Sequence, residues 1–146
     1  MNSCLFCENK EIKERIIVKN DFVFAFPTNI PVVPGHTIIC PGRHILSVNE
    51  LTEQELKAFF EMIEKVKNAM REAFGATGFN FAWNEGKSAG QSVEHLHFHI
   101  LPRKEGDTGI TEYEPRKFLY RPGSRETTPE AELKNVADIL KKVLKL

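Results

Sequence analysis

Residues 94–101 read Glu-His-Leu-His-Phe-His-Ile-Leu, and this octapeptide constrains the chain more than any other stretch. Polar and apolar side chains alternate from His95 to Ile100. An extended strand sends successive side chains to opposite faces, so the pattern predicts a strand over 94–101. His95, His97 and His99 then share one face, while Leu96, Phe98 and Ile100 enter a core. Imidazoles on alternate positions stand roughly 6.5–7 Å apart along a strand, near enough for several to surround one small charged group. A solvated strand face ordinarily carries Thr, Lys or Glu, so three histidines in register point to a site. All five histidines, at 36, 44, 95, 97 and 99, fall in two short segments.

Around this segment the chain reads as an α+β domain with a mostly antiparallel sheet, one long helix and a C-terminal helix. Residues 15–19 and 22–26 are rich in β-formers and flank Asn20-Asp21, which predicts a hairpin. The stretch 29–35, with two prolines and a glycine, is a rigid loop. A short apolar strand follows from His36 to Cys40. Thr52 and Glu55 form a capping-box pattern, and Leu56, Phe59, Phe60, Ile63, Val66, Met70 and Phe74 recur at helical steps. A helix over 52–74, ended by Gly75, is therefore expected. Phe79 to Trp83 predicts another strand, with Trp83 in the core or in a pocket wall. Residues 103–127 mix Gly, Pro and charge into an irregular loop. A last helix occupies 128–146, with Thr128 as its cap and Leu133, Val136, Ala137 and Leu140 buried.

The 146 residues fit a single domain spanning 1–146. Twenty basic residues balance twenty acidic ones, so no global field draws the chain to a nucleic-acid polymer or an anionic membrane. No apolar run approaches the ~20 residues of a membrane span. The first fifteen residues do not resemble a signal peptide, and the expected compartment is the cytoplasm. In a reducing cytosol Cys4-x-x-Cys7 suits metal or redox chemistry better than a disulfide. Surplus histidines could complete a Cys2His2 zinc site, making residues 1–10 a metal-bearing clamp. Cys40 reads as a small core residue. The loop 84–92, Asn-Glu-Gly-Lys-Ser-Ala-Gly-Gln-Ser, offers amide, hydroxyl and backbone N–H groups suited to phosphate oxygens.

Together, His95-Leu-His97-Phe-His99-Ile-Leu, Val33-Pro-Gly-His36, Pro41-Gly-Arg-His44 and Gly90-Gln-Ser-Val93 resemble the histidine-triad (HIT) family over about residues 4–105. The stretches 31–41 and 101–107 look most like the fragile-histidine-triad branch, which hydrolyses dinucleoside polyphosphates. The resemblance implies that His97 attacks a nucleotide α-phosphate, forming a covalent nucleotidyl-histidine that a second acceptor resolves. A backbone carbonyl within the triad would orient His97. His36 and His99 would contact the phosphate. Gln91 and Ser92 would bind phosphate or bridging oxygens, with Asn84 ordering their loop. The family's ribose contact maps onto Thr28, with Asn29 beside it, and departs from the usual acidic pattern. The Cys-x-x-Cys pair is similar to zinc-containing bacterial and archaeal members, which implies structural zinc on Cys4, Cys7, His44 and His95. A homodimer joined through the long helix and a sheet edge is also implied. Two other activities stay open: hydrolysis of nucleoside phosphoramidates or aminoacyl-adenylates, and nucleotide binding with weak catalysis.

Overall fold

The computed structural model describes residues 4–109 and 126–146. Of the irregular loop expected over 103–127, residues 110–125 lie outside the described part. Two short helices open the chain, α1 (Leu5–Glu8) and α2 (Lys10–Glu14). Three strands follow, β1 (Val18–Lys19), β2 (Val23–Pro27) and β3 (Thr37–Pro41). Then come the long helix α3 (Glu53–Phe74), β4 (Gly78–Trp83), β5 (Phe98–Arg103) and the last helix α4 (Glu130–Leu144). The strands form one antiparallel sheet in the order β1-β2-β3-β5-β4.

Strand alternation sorts the core into two layers. Val23 and Ala25 of β2, Ile39 of β3 and Ile100 of β5 pack with Phe59, Met62, Val66 and Met70 of α3 and Leu140 of α4. Phe26, Ile38 and Cys40 face the other way and pack with Phe6 and Ile12 from the opening helices. Cys40 is a buried core residue, as expected. In register, Ile39 pairs with Phe98 and Ile38 with His99, so His99 lies on the face that α1 and α2 cover.

The long helix matches its sequence signals. Thr52 and Glu55 form the reciprocal capping box, and Gly75 ends the helix in the left-handed conformation. Two members of its expected apolar stripe are not core, however: Leu56 is 45% exposed and Phe60 62%. Trp83, expected in the core or in a pocket wall, is 47% exposed on edge strand β4.

Three further expectations need correction. The first strand is only Val18–Lys19, because residues 10–14 are helical and Arg15 closes that helix. Thr128 does not cap α4. Its cap is Pro129, which makes no side-chain bond, while the Thr128 N–H donates to the Asn29 carbonyl at 2.6 Å. The histidine strand begins at Phe98 rather than Glu94. Its ladder partners run out there: β4 ends where Trp83 pairs with Phe98, and on the other side Pro41 has no N–H to offer. Residues 93–97 bond elsewhere, with the Leu96 N–H donating to the Ile45 carbonyl.

Gly35 holds the turn before β3 and sets the entry of His36. Its φ is +91°, and a Cβ there would stand 2.8 Å from the Phe74 ring and 3.0 Å from Pro102. Gly35→Ala combines strained backbone with a steric overlap. It is expected to cost about 2 kcal/mol, read as a lowered thermal midpoint. A midpoint within one degree of the parent would show that the turn relaxes freely.

Candidate active site

The N-terminal helices, the β2 end, the loop before the triad and the triad itself enclose a cleft of about 340 Å³. Its walls include Phe6, Asn9, Ile12, Phe26, Thr28, Asn29, Ser92, His97 and His99. That volume lies within the usual range for small-molecule pockets.

Although only His99 lies in β5, the three triad rings still share one face. Phe6 meets His95 at 5.8 Å and His97 at 4.9 Å between ring centroids, and His97 meets His99 at 5.2 Å. Hydrogen-bond partners fix how each ring must be protonated when neutral. His97 Nδ1 lies 2.8 Å from the His95 carbonyl, which can only accept. The His97 proton therefore sits on Nδ1, and Nε2 keeps its lone pair. His36 Nδ1 accepts from the Val32 N–H at 3.0 Å, so its own proton sits on Nε2. That Nε2 lies 2.9 Å from His99 Nδ1, which must accept, so His99 carries its proton on Nε2. The result is one imidazole with an available lone pair beside one that is an N–H donor. Burial pushes His97 below the ordinary histidine value, against a raising effect of its bond to the His95 carbonyl. Its neutral form persists at neutral pH.

His95 faces a second cluster. Its Nε2 donates to the Pro41 carbonyl at 2.7 Å, which leaves the Nδ1 lone pair for a metal. Nδ1 stands 3.4 Å from Cys4 Sγ and 3.5 Å from Cys7 Sγ, and His44 Nδ1 stands 3.7 Å from Cys7 Sγ. All four donor atoms lie within 4.8 Å of one another. A tetrahedral ion with bonds of about 2.3 Å to sulfur and 2.05 Å to nitrogen sets S and N about 3.6 Å apart. The observed separations fit that figure, so these four residues suit zinc. Burial and the Cys4 thiol push the Cys7 thiol up to about 11, and a cation is what would bring both sulfurs to thiolate.

The expected site residues divide by position. Thr28, Asn29, Ser92, His97 and His99 line the cleft, and His36 stands behind His99. Asn84 and Gln91 do not line it. Asn84 Nδ2 donates to the Gly90 carbonyl at 3.4 Å. Gln91 Oε1 accepts from the Gly86 N–H at 2.7 Å, and its Nε2 donates to the Leu46 carbonyl at 3.5 Å. Both order the loop that carries Ser92. Sequence reasoning missed the wall built by α1 and α2. Asn9 caps α2 by accepting from the Ile12 N–H. Arg15, 4% exposed, donates to the Pro27 carbonyl and to both Glu130 oxygens at 2.9 Å, tying α2 to β2 and α4. An asparagine three residues before an isoleucine was the available cap signal. Nothing local announced the buried arginine.

The HIT domain model matches residues 9–106. The chain belongs to the HIT family. It is 33% identical over 119 residues to a bis(5'-adenosyl)-triphosphatase of Dictyostelium discoideum, covering 82% of this chain and 76% of that one. A histidine triad nucleotide-binding protein of Sulfolobus tokodaii superposes with a TM-score of 0.77 at 26% identity, over 97% of this chain and 92% of that one. A zinc-bound histidine triad protein of Mycobacterium smegmatis superposes with a TM-score of 0.72 at 24% identity, over 98% and 94%. This HIT chain therefore shares the fold of both solved structures. Among the described residues no helix is long and apolar enough to cross a membrane.

Proposed function

We propose that this HIT protein is a nucleotide hydrolase acting on dinucleoside polyphosphates through His97. The observation that carries the reading is the His97 tautomer. Nδ1–H bound to the His95 carbonyl leaves the Nε2 lone pair of a neutral, buried imidazole to attack. Nε2 bonds to the α-phosphorus, and the bridging P–O bond breaks with its electrons going to the leaving nucleotide. Water then attacks the same phosphorus, the P–N bond breaks, and a nucleoside monophosphate such as AMP departs. His99 Nε2–H donates to a phosphoryl oxygen, and His36 holds that donor in place. Ser92, on the cleft wall, serves the same oxygens or the bridging one, while Asn84 and Gln91 hold its loop. Thr28 and Asn29, on the cleft wall, meet the ribose. The Dictyostelium relative, a bis(5'-adenosyl)-triphosphatase by name, supports this substrate class.

Cys4, Cys7, His44 and His95 would hold zinc, which when bound supplies a structural clamp. Exposed Leu56 and Phe60 on α3, with Phe81 and Trp83 on edge strand β4, offer the apolar surface that a second copy of the chain would cover. The thiol pair and the absence of a spanning helix among the described residues suit a reducing cytosol.

A substrate panel tests the assignment. Diadenosine tri- and tetraphosphate should be cleaved with AMP as one product, faster than an adenosine phosphoramidate. A clear preference for the phosphoramidate would move the chain to that branch of the chemistry.

A further inference from the structure

We infer that Phe6 is a positioning residue for His97, and that through it the metal clamp sets the order of the reacting imidazole. The inference rests on the proposed role of His97. Helix α1 has four residues, far too few to persist alone. Two of the candidate ligands, Cys4 and Cys7, bracket Phe6, so a metal on them fixes where its ring stands. Phe6 is 6% exposed and packs edge-on against three rings: Phe26 at 5.3 Å, His95 at 5.8 Å and His97 at 4.9 Å. One of those is itself a candidate ligand and another is the proposed nucleophile.

The hydrogen bond to the His95 carbonyl pins one atom of the His97 ring. It leaves rotation about that contact to be limited by neighbours. One neighbour is His99, held in the β5 ladder, with its ring centroid 5.2 Å away. Phe6 meets the same ring at 4.9 Å, at an interplanar angle of 83°. Edge-to-face aromatic contacts have a preferred geometry that an aliphatic side chain cannot reproduce. The ladder does not depend on the metal, whereas α1 does. Phe6 is thus the movable wall of the nucleophile. A misplacement near 1 Å at a reacting group can cost about a hundredfold in rate.

The test uses Phe6→Leu in the full chain with its metal bound, checked by zinc content and circular dichroism. Phe6→Met, which fills irregular gaps more readily, replaces it if Leu does not fold. Turnover of diadenosine triphosphate should lose about 10- to 100-fold in kcat, with KM within threefold. Nitrogen-15 spectra of the histidine rings at pH 8 should show the parent His97 as the Nδ1–H form and the variant as an averaged mixture. In the normal protein, graded removal of zinc by a chelator should deprotect amides of residues 4–14 in hydrogen exchange before those of β3 and β5. The His97 nitrogen signals should average in step. An effect confined to KM would make Phe6 a wall of the substrate cleft only and overturn the inference. So would an unchanged His97 spectrum in a folded, zinc-loaded variant. If the parent forms no nucleotidyl adduct on any substrate, the function assigned to His97 fails instead, a result separable from the spectral one.

Discussion

Replacing His97 with Asn is expected to lower turnover by at least about 10⁴-fold while nucleotide binding changes by only a few fold. Losses of that size follow when the attacking group of a covalent mechanism is removed. Asn offers no comparable nucleophile at the Nε2 position, yet it keeps much of the ring's volume beside Phe6 and His99. The cleft, the loop carrying Ser92 and the His36–His99 pair do not depend on it. In the parent, brief reaction with substrate labelled at the α-phosphate should trap an adduct that acid destroys and base spares. The pH profile adds a second reading. Burial lowers the His97 value, so the neutral imidazole survives to lower pH than a solvent-exposed one. The acid limb of kcat/KM should therefore fall below pH 6.5. Undiminished turnover in His97→Asn would end the assignment.

Loss of the clamp should be the largest change in stability. Protein purified without chelator is expected to hold about one zinc per chain. Cys4→Ser with Cys7→Ser should abolish that metal and lower the thermal midpoint by about 10–20 °C. The reasoning runs through coupling: metal binding contributes free energy only to the folded arrangement that brings its ligands together. Here the ligands come from α1, from the turn after β3 and from the start of the triad segment, so the ion closes loops between distant parts of the chain. Because both thiols must lose protons, zinc affinity should weaken steeply as pH falls. Metal-free protein with the parent's midpoint would refute the clamp. His44, the exposed ligand, is the one whose loss should be tolerated best.

What could be read from the amino acids followed the range of the forces involved. Helix α3 carries its cap, its stripe and its stop within 24 residues, so local rules recover it. The histidine face was legible because alternation survives even where the ladder does not: His95 and His97 both pack on Phe6, and His97 also meets His99, from a segment bonded to Ile45. The start of β5 was not legible, since it depends on where β4 and Pro41 stop offering partners. Leu56 and Phe60 read as core, and Trp83 as core or pocket wall, because hydrophobicity reports that a surface is apolar, not what covers it. The wall formed by α1 and α2 escaped for another reason. Its short helices are held by contacts with residues far along the chain, such as Arg15 with Glu130. Gln91 shows the converse: its place in the motif was plain, but its bonds go to Gly86 and Leu46.

The contacts from the Val32 amide through His36 to His99 run in one direction, so that a neutral His99 presents its Nε2–H as a donor. Among the described residues the one guanidinium on the cleft wall, that of Arg15, is already paired with Glu130. A polyphosphate meeting this described part of the wall would therefore find oriented dipoles and a guanidinium that already has its carboxylate. Dipoles of fixed direction act over a few ångströms and are little affected by dissolved salt, whereas charge pairs in solvent are screened within a Debye length of about 8 Å. What this part of the wall contributes to capture gains little from long-range steering and tolerates wide changes in ionic strength. Its discrimination rests on whether a phosphoryl oxygen arrives at the right distance and angle, so that this part of the wall measures shape where a basic patch would have measured charge.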